Sequence, residues 1–256
     1  MRQPHGLIGW VDLSSTDVDA SKAFYGPLLS WEFEDVPTPM GPAYTMCRLE
    51  GRLVAGIGPQ PPGMAGMPSV WSSYVLVTDV DALCASVPGA GGAVLMPPMD
   101  VMTQGRMAMV ADPTGAVVGL WQPREHEGAE VFNVPGALTW NELQSRDLDA
   151  ACAFYEAILP WRFEAGQDDG YRMIVLDAKE GDDKSNGGAM SMPPGVPDEV
   201  PSYWAVYFAV ADCDAALARA TELGAEVFLP TMEMGPMRFG GVTDPTGASV
   251  MFASGG

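Results

Sequence analysis

Two short segments of this sequence place a carboxylate two residues after a tryptophan: Trp10-Val11-Asp12 and Trp140-Asn141-Glu142. Both lie in apolar runs that read as β-strands, where residues two apart share a face. A carboxylate held against an indole is partly stripped of water. Its pKa then rises, which suits it to act as a general base or acid near neutral pH. The alternative for Asp12 and Glu142 is a solvated carboxylate, or one hydrogen-bonded to a neighbouring strand. Arg106 and Arg238 also recur at matched positions, in a chain with only 13 basic residues. A guanidinium fork there suits the carboxylate, phosphate or phenolate of a ligand. Ion pairs with the surrounding acids are the competing use. Cys47, Cys84, Cys152 and Cys213 stand singly, with no C-x-x-C, and read as packing thiols. His5 and His126 are the only imidazoles, the second in a linker, so a His-based metal centre is hard to assemble.

The matched positions belong to an internal repeat. WVDLSSTDVDASKAFYGPLLSWEFE from Trp10 and WNELQSRDLDAACAFYEAILPWRFE from Trp140 align at a constant offset. GRMAMVADPTGAVVGLW from Gly105 likewise matches MRFGGVTDPTGASVMFA from Met237. A finer repeat lies underneath: Asp-x-Asp-Ala begins at Asp17, Asp79, Asp147 and Asp212. Each copy follows a short apolar run and precedes an Ala-rich stretch, which predicts a strand and then a helix capped by the first Asp. The two Asp-Pro-Thr-Gly segments predict hairpin turns, with Pro setting the first turn position and Gly the left-handed one. GDDKSN at 181–186 reads as a hairpin tip.

The unit is therefore βαβββ, about sixty residues, four times over. Pro/Gly-rich joints at 59–68, 122–136 and 192–201 separate the copies. The expectation is an α+β fold of two tandem domains, 1–125 and 133–256, each with helices on one side of a curled antiparallel sheet and a concave face on the other. Trp31 and Trp161, after the helices, read as core, and Trp71 and Trp204 as packing beneath the helices or between modules.

Composition narrows the partners. The formal net charge of −20 repels nucleic acid and anionic membranes, whose binding needs Lys and Arg against phosphates. There is no run of 18 apolar residues and no charged-then-apolar leader at the N-terminus, so a cytoplasmic protein is expected.

With its paired βαβββ modules, strand-Asp-helix starts containing Phe-Tyr, and Asp-Pro-x-Gly turns before the last strand, the chain resembles the glyoxalase/bleomycin-resistance/extradiol-dioxygenase superfamily. It resembles in particular tandem two-domain actinobacterial members, often labelled hydroxylases. That resemblance implies a divalent metal held by His or Gln on first strands and Glu on last strands. The corresponding positions here are Trp10, Ser72, Trp140 and Ala205 on the first strands, and Gly119 and Met251 on the last. Indole, alkyl, hydrogen and thioether groups do not replace imidazole and carboxylate around such a cation. Gln144 lies three residues before its cap, away from the ligand position. No metal and no cofactor are expected.

If Trp10 and Trp140 take the old ligand positions, Asp12 and Glu142 point into the same two cups. Ser72 with Tyr74, Ala205 with Tyr207, and Gly119 with Trp121 face inward as well. The tryptophans are either stacking platforms or plugs filling the vacated cavity. Methionines 96, 99, 102, 107, 109, 232, 234 and 237 are expected in loops feeding the cups, as adaptable lining or as core filler. Two functions follow. One is a metal-independent protein that binds a small hydrophobic or aromatic metabolite, for sequestration, resistance or a secondary-metabolite role. The other is a metal-free lyase, isomerase or hydroxylase-type enzyme with Glu142 or Asp12 as base and Tyr74 or Tyr207 polarising an oxygen. Four modules in one chain make a monomer or weak homodimer sufficient.

Overall fold

The computed structural model describes residues 3–39, 41–166 and 170–255. Module one comprises β1 (Ile8–Ser15), α1 (Val18–Leu29), β2 (Glu32–Thr38), β3 (Gly41–Leu49) and β4 (Arg52–Pro59). Module two comprises β5 (Val70–Leu76), α2 (Val80–Ser86), β6 (Ala93–Val101), β7 (Gly105–Ala111) and β8 (Val117–Pro123). Module three comprises β9 (Leu138–Ser145), α3 (Leu148–Ile158), β10 (Arg162–Ala165), β11 (Tyr171–Val175) and β12 (Ser185–Ser191). Module four comprises β13 (Tyr203–Ala209), α4 (Cys213–Glu222), β14 (Glu226–Met234), β15 (Met237–Thr243) and β16 (Ser249–Ser254). The strands form two eight-stranded sheets, ordered β2-β3-β4-β1-β5-β8-β7-β6 and β10-β11-β12-β9-β13-β16-β15-β14. Within each module the last three strands pair antiparallel, whereas the last returns parallel to the first, as a helical crossover requires. Among the described residues no helix is long and apolar enough to cross a membrane.

The repeated aspartates do the capping expected of them. Asp17, Asp79, Asp147 and Asp212 each accept a hydrogen bond from the backbone N–H three residues on. Gly115 and Gly247 take positive φ in the two Asp-Pro-Thr-Gly turns. The acidic segment after β11 connects it to its antiparallel partner β12.

Packing divides the chain into two compact units, Met1–Trp10 with Ser73–Gly128 and Trp140–Trp204, and Val11–Ser72 with Ala129–Thr139 and Ala205–Gly256. One is thus built mainly from modules two and three, the other from modules one and four. Each has its own apolar core. Leu83, Val87, Leu120, Leu143 and Phe154 lie in the first, and Phe24, Leu29, Phe208, Leu217 and Phe252 in the second.

Each core contains a polar junction made from the repeat motifs. In the unit of modules one and four, the fully buried Tyr25 hydroxyl accepts from Trp71 Nε1 (2.8 Å) and donates to Asp244 Oδ2 (2.8 Å). Asp244 Oδ1 accepts from Thr246 N (2.8 Å), Thr246 Oγ1 (2.8 Å) and Ala248 N (3.0 Å). In the unit of modules two and three, Trp204 Nε1 donates to the Tyr155 hydroxyl (2.9 Å). Asp112 Oδ1 there binds Thr114 N, Thr114 Oγ1 and Ala116 N. Trp31 and Trp161 pack beside these tyrosines as core residues, as expected.

The thiols are packing groups too. All four cysteines are free, and burial pushes the half-buried Cys152 up to about 12 and Cys47 higher still. Both thiols are therefore protonated, and poor nucleophiles, at neutral pH.

Removing the Tyr25 hydroxyl leaves a buried carboxylate oxygen and a buried indole N–H unsatisfied. Tyr25→Phe should therefore cost about 2–3 kcal/mol in urea unfolding, against under about 0.5 kcal/mol for the exposed Glu32→Gln. Burial and the neighbouring Asp244 and Asp112 also raise the phenol pKa values of Tyr25 and Tyr155 well above their ordinary value. A raised folded pKa means that stability is intact below the unfolded value of about 10 and is lost as pH climbs above it. Absorbance at 295 nm should show these two phenols ionising only together with loss of the near-ultraviolet dichroism of the fold.

Candidate functional site

The face of β9 that carries chemistry is fixed by what its other face buries. Leu143 is packed in the core with α3 residues, and Asn141 Oδ1 accepts from Ser73 Oγ at 2.7 Å. Trp140, Glu142 and Gln144 must then share the opposite face. Trp140 and Gln144 are half-buried, and Glu142 is only 8% exposed. The Tyr171 hydroxyl, from β11, sits between them: Trp140 Nε1 donates to it and it donates to the Glu142 carboxylate. Gln144 Nε2 lies 3.4 Å from Glu142 Oε1, and Gln144 Oε1 accepts from the Tyr203 hydroxyl at 2.6 Å. Burial, then the Glu142 charge, raise the pKa of both phenols. The floor is glycine. Gly188 on β12 is the parallel partner of Glu142, and a Cβ on it would lie 1.9 Å from Tyr171 Oη.

Module one repeats part of this arrangement. Asp12 and Gly56 are parallel partners on β1 and β4, and the Tyr44 hydroxyl donates to Asp12 Oδ2 at 3.3 Å. A Cβ on Gly56 would lie 1.8 Å from Tyr44 Oη. Trp10 differs from Trp140. It is 4% exposed, edge-on to the His126 ring at 4.3 Å. His126 is placed by its own backbone: its N–H donates to Gln104 O and its carbonyl accepts from Trp121 Nε1 at 2.9 Å. Trp10 is thus enclosed, whereas Trp140 is half-buried.

Among the remaining candidates Trp121 shares the His126 ring with Trp10, and Tyr74 and Tyr207 lie on the strand faces opposite the core residues Val75, Val206 and Phe208. The Tyr74 ring lies over Gly119, its register partner, and is buried with Trp121. Tyr207 and Met251 are register partners, and Met251 lies against Gly241. Ser72 is half-buried on β5. Arg106 and Arg238 point to the helix side of their sheets. Arg106 binds Asp81 of α2 (2.7 Å) and Asp100 (2.9 Å), and Arg238 binds Asp214 of α4 (2.8 Å). Their recurrence follows the recurring second Asp of Asp-x-Asp-Ala, and the structure does not bring them to the carboxylate faces. The methionines lie on strands β6, β7, β14 and β15 rather than in loops, save Met102.

Tyr44, Tyr171 and His126 were not expected at the site. A signal existed for the tyrosines, since Tyr-x-Met recurs at Tyr44 and Tyr171 and each matches a glycine in the module's last strand. None existed for His126, which lies outside the repeat.

A divalent metal of the kind the resemblance implies does not fit these residues. The ligand positions hold Trp10, Ser72, Gly119, Trp140, Ala205 and Met251, and two of those strand sites are filled by the Tyr74 ring and the His126 contact. Among the described residues no three His, Cys, Asp or Glu side chains converge to hold an ion.

The model of the Glyoxalase/Bleomycin resistance protein/Dioxygenase superfamily matches residues 7–120 and 137–252. CFP32 of Mycobacterium bovis, named provisionally as a glyoxylase, is 44% identical over 95% of this chain and 92% of its own length. The anthracycline biosynthesis protein DnrV of Streptomyces peucetius is 39% identical over 95% of this chain and 91% of its own. In fold, the chain is similar to a Mn(II)-bound glyoxalase from Novosphingobium aromaticivorans (TM-score 0.65, 18% identity, 98% of this chain and 83% of that one). It is also similar to the 2,3-dioxygenase LapB from Pseudomonas sp. KL28 (TM-score 0.67, 12% identity, 98% and 93%). With both halves matched by the family model and two relatives covered almost end to end, the chain belongs to the glyoxalase/bleomycin resistance protein/dioxygenase superfamily.

Proposed function

We propose that this protein binds a small hydrophobic or aromatic metabolite on the outward face of β9 without a metal, in sequestration or in secondary metabolism. The observation that carries this reading is the half-buried Trp140 beside a buried Glu142 whose hydrogen bonds hold its position. An indole face offers a stacking surface for a planar ring, and the carboxylate accepts a hydrogen bond from that ring's polar edge. The relative named for anthracycline biosynthesis supports a planar aromatic ligand, since an anthracycline is a fused-ring molecule. The donor set supports a site without a metal, because among the described residues side chains suited to a divalent cation do not converge. Binding of this kind needs no second subunit. The acid/base reading rests on the same Glu142, with Tyr171 as its hydrogen-bonded partner.

Fluorescence quenching by a planar ligand tests the proposal. Trp140→Ala should weaken binding by about 1 kcal/mol or more, the worth of a good aromatic contact. Trp10→Phe should leave it within about 0.5 kcal/mol. Unchanged binding in Trp140→Ala sinks the site assignment. Glu142→Gln keeps the shape and removes the base. A sequestering protein should retain its ligand in that variant, whereas an acid/base enzyme should lose about 10²-fold in turnover while still binding.

A further inference from the structure

The three-group arrangement of Trp N–H, Tyr O–H and carboxylate occurs in this molecule in two settings. In the cores it is sealed. Tyr25 and Tyr155 are fully buried on helices, held by Trp71 and Trp204, and have no route out without unfolding. On the β9 face the same groups are Trp140, Tyr171 and Glu142, but Tyr171 and Trp140 are half-buried. The Tyr171 ring lies over Gly188 and is partly exposed, so that rotation about its Cα–Cβ bond would be its way out of the site.

What remains behind such a rotation is a cavity of defined chemistry. Its floor is Gly188, where any side chain would strike the hydroxyl, because a Cβ would lie 1.9 Å from Tyr171 Oη and 3.2 Å from Trp140 Nε1. Its walls are a hydrogen-bond donor, Trp140 Nε1, and an acceptor, the Glu142 carboxylate. A hydroxyl oxygen on an aromatic ring satisfies both at once, as Tyr171 does. The match is not a single accident of packing, because Tyr44 over Gly56 presents its hydroxyl to Asp12 in the same way.

From this geometry we infer that Tyr171 is an internal placeholder, and that the ligand is a phenol or enol whose hydroxyl displaces it between Trp140 Nε1 and Glu142. The inference rests on the binding reading of the β9 face and names the class of its ligand. It also explains why this site favours a hydroxylated ring over a bare hydrocarbon. Only the hydroxyl restores the two hydrogen bonds that the departing tyrosine gives up.

The inference reverses the effect expected of an ordinary lining residue. A tyrosine that contacts the ligand helps binding, so its removal weakens it. A placeholder competes with the ligand, so its removal tightens it. With 2-naphthol as the probe, Tyr171→Ala should bind about tenfold more tightly than the unaltered protein. The hydroxyl-free 2-methylnaphthalene should gain less than twofold. Adding Glu142→Leu or Gly188→Ala to Tyr171→Ala should abolish the naphthol gain, the first by removing the acceptor and the second by filling the floor. Equal or weaker naphthol binding in Tyr171→Ala overturns the inference.

A second measurement covers the case in which that variant fails to fold. In the unaltered protein labelled with 3-fluorotyrosine, saturating 2-naphthol should move the Tyr171 fluorine resonance to the solvent-exposed position. A resonance that stays in place while naphthol binds overturns the inference as well. The two readings fail differently. If Trp140→Ala weakens naphthol binding but Tyr171→Ala does not tighten it, the binding face stands without the placeholder. If Tyr171→Ala tightens it but Trp140→Ala changes nothing, Tyr171 competes with the ligand away from Trp140 Nε1, which overturns both the stacking reading and the placement of the hydroxyl. Naphthol binding to neither the unaltered protein nor Tyr171→Ala refutes both.

Discussion

In the unit of modules one and four, a buried aspartate ties distant parts of the chain together. Asp244 is an acid in an apolar core, and such a group is tolerated only when its lone pairs are occupied. Three of its partners are local, from the turn it begins, and the fourth is the Tyr25 hydroxyl 219 residues away. The turn, helix α1 and the Trp71 strand are thereby fixed together, and no one of them can shift without leaving a charged or polar atom unpaired. The consequence reaches the candidate site through strand alternation. In the other unit, Trp204 must face the core to reach Tyr155, so Tyr203 next to it must face outward, where it meets Gln144. The register that satisfies the core is the register that builds the site.

The same economy explains the difference between two kinds of Tyr–carboxylate pair. The chemistry is shared, and burial alone separates them. Tyr25 is sealed beneath a helix and serves stability, whereas Tyr171 lies on a sheet face over a glycine. Trp10 and Trp140 diverge in a similar way. Both occupy the first-strand position of a first module, yet Trp10 is closed off by His126, which arrives from the segment joining the halves. Duplication gave two similar faces, and the His126 contact sets the Trp10 face apart.

Much of this was legible in the residues. Four Asp-x-Asp-Ala starts and two Asp-Pro-Thr-Gly turns give four βαβββ modules because capping and turn chemistry are local. The spacing of Trp140 and Glu142 gives one shared face because the strand period is two. What local chemistry does not encode is which distant group completes a motif. Phe-Tyr and Asp-Pro-Thr-Gly are both visible in the sequence, but their pairing across more than two hundred residues is a property of packing. The arginines mislead for a related reason. Arg106 and Arg238 recur because each answers an aspartate in the first turn of a recurring helix, and recurrence alone does not separate that role from ligand binding. Tyr171 was harder to see because its signal, Tyr-x-Met, gains meaning only with the glycine opposite, and Gly188 lies in a run that reads as ordinary strand.

This chain shares its fold with a Mn(II)-bound glyoxalase and a 2,3-dioxygenase, and the positions that the resemblance assigns to a cation's ligands hold tryptophan, serine, alanine, glycine and methionine. On the reading proposed above, the β9 face works through Trp140, Tyr171 and Glu142 with no divalent ion. Elemental analysis of purified, untagged protein, paired with ligand titration before and after chelation, tests it most directly. The account predicts well under one equivalent of Zn, Ni, Fe or Mn and an affinity that chelation leaves unchanged. A stoichiometric metal that survives brief chelation, or binding lost when the metal is stripped, would contradict it.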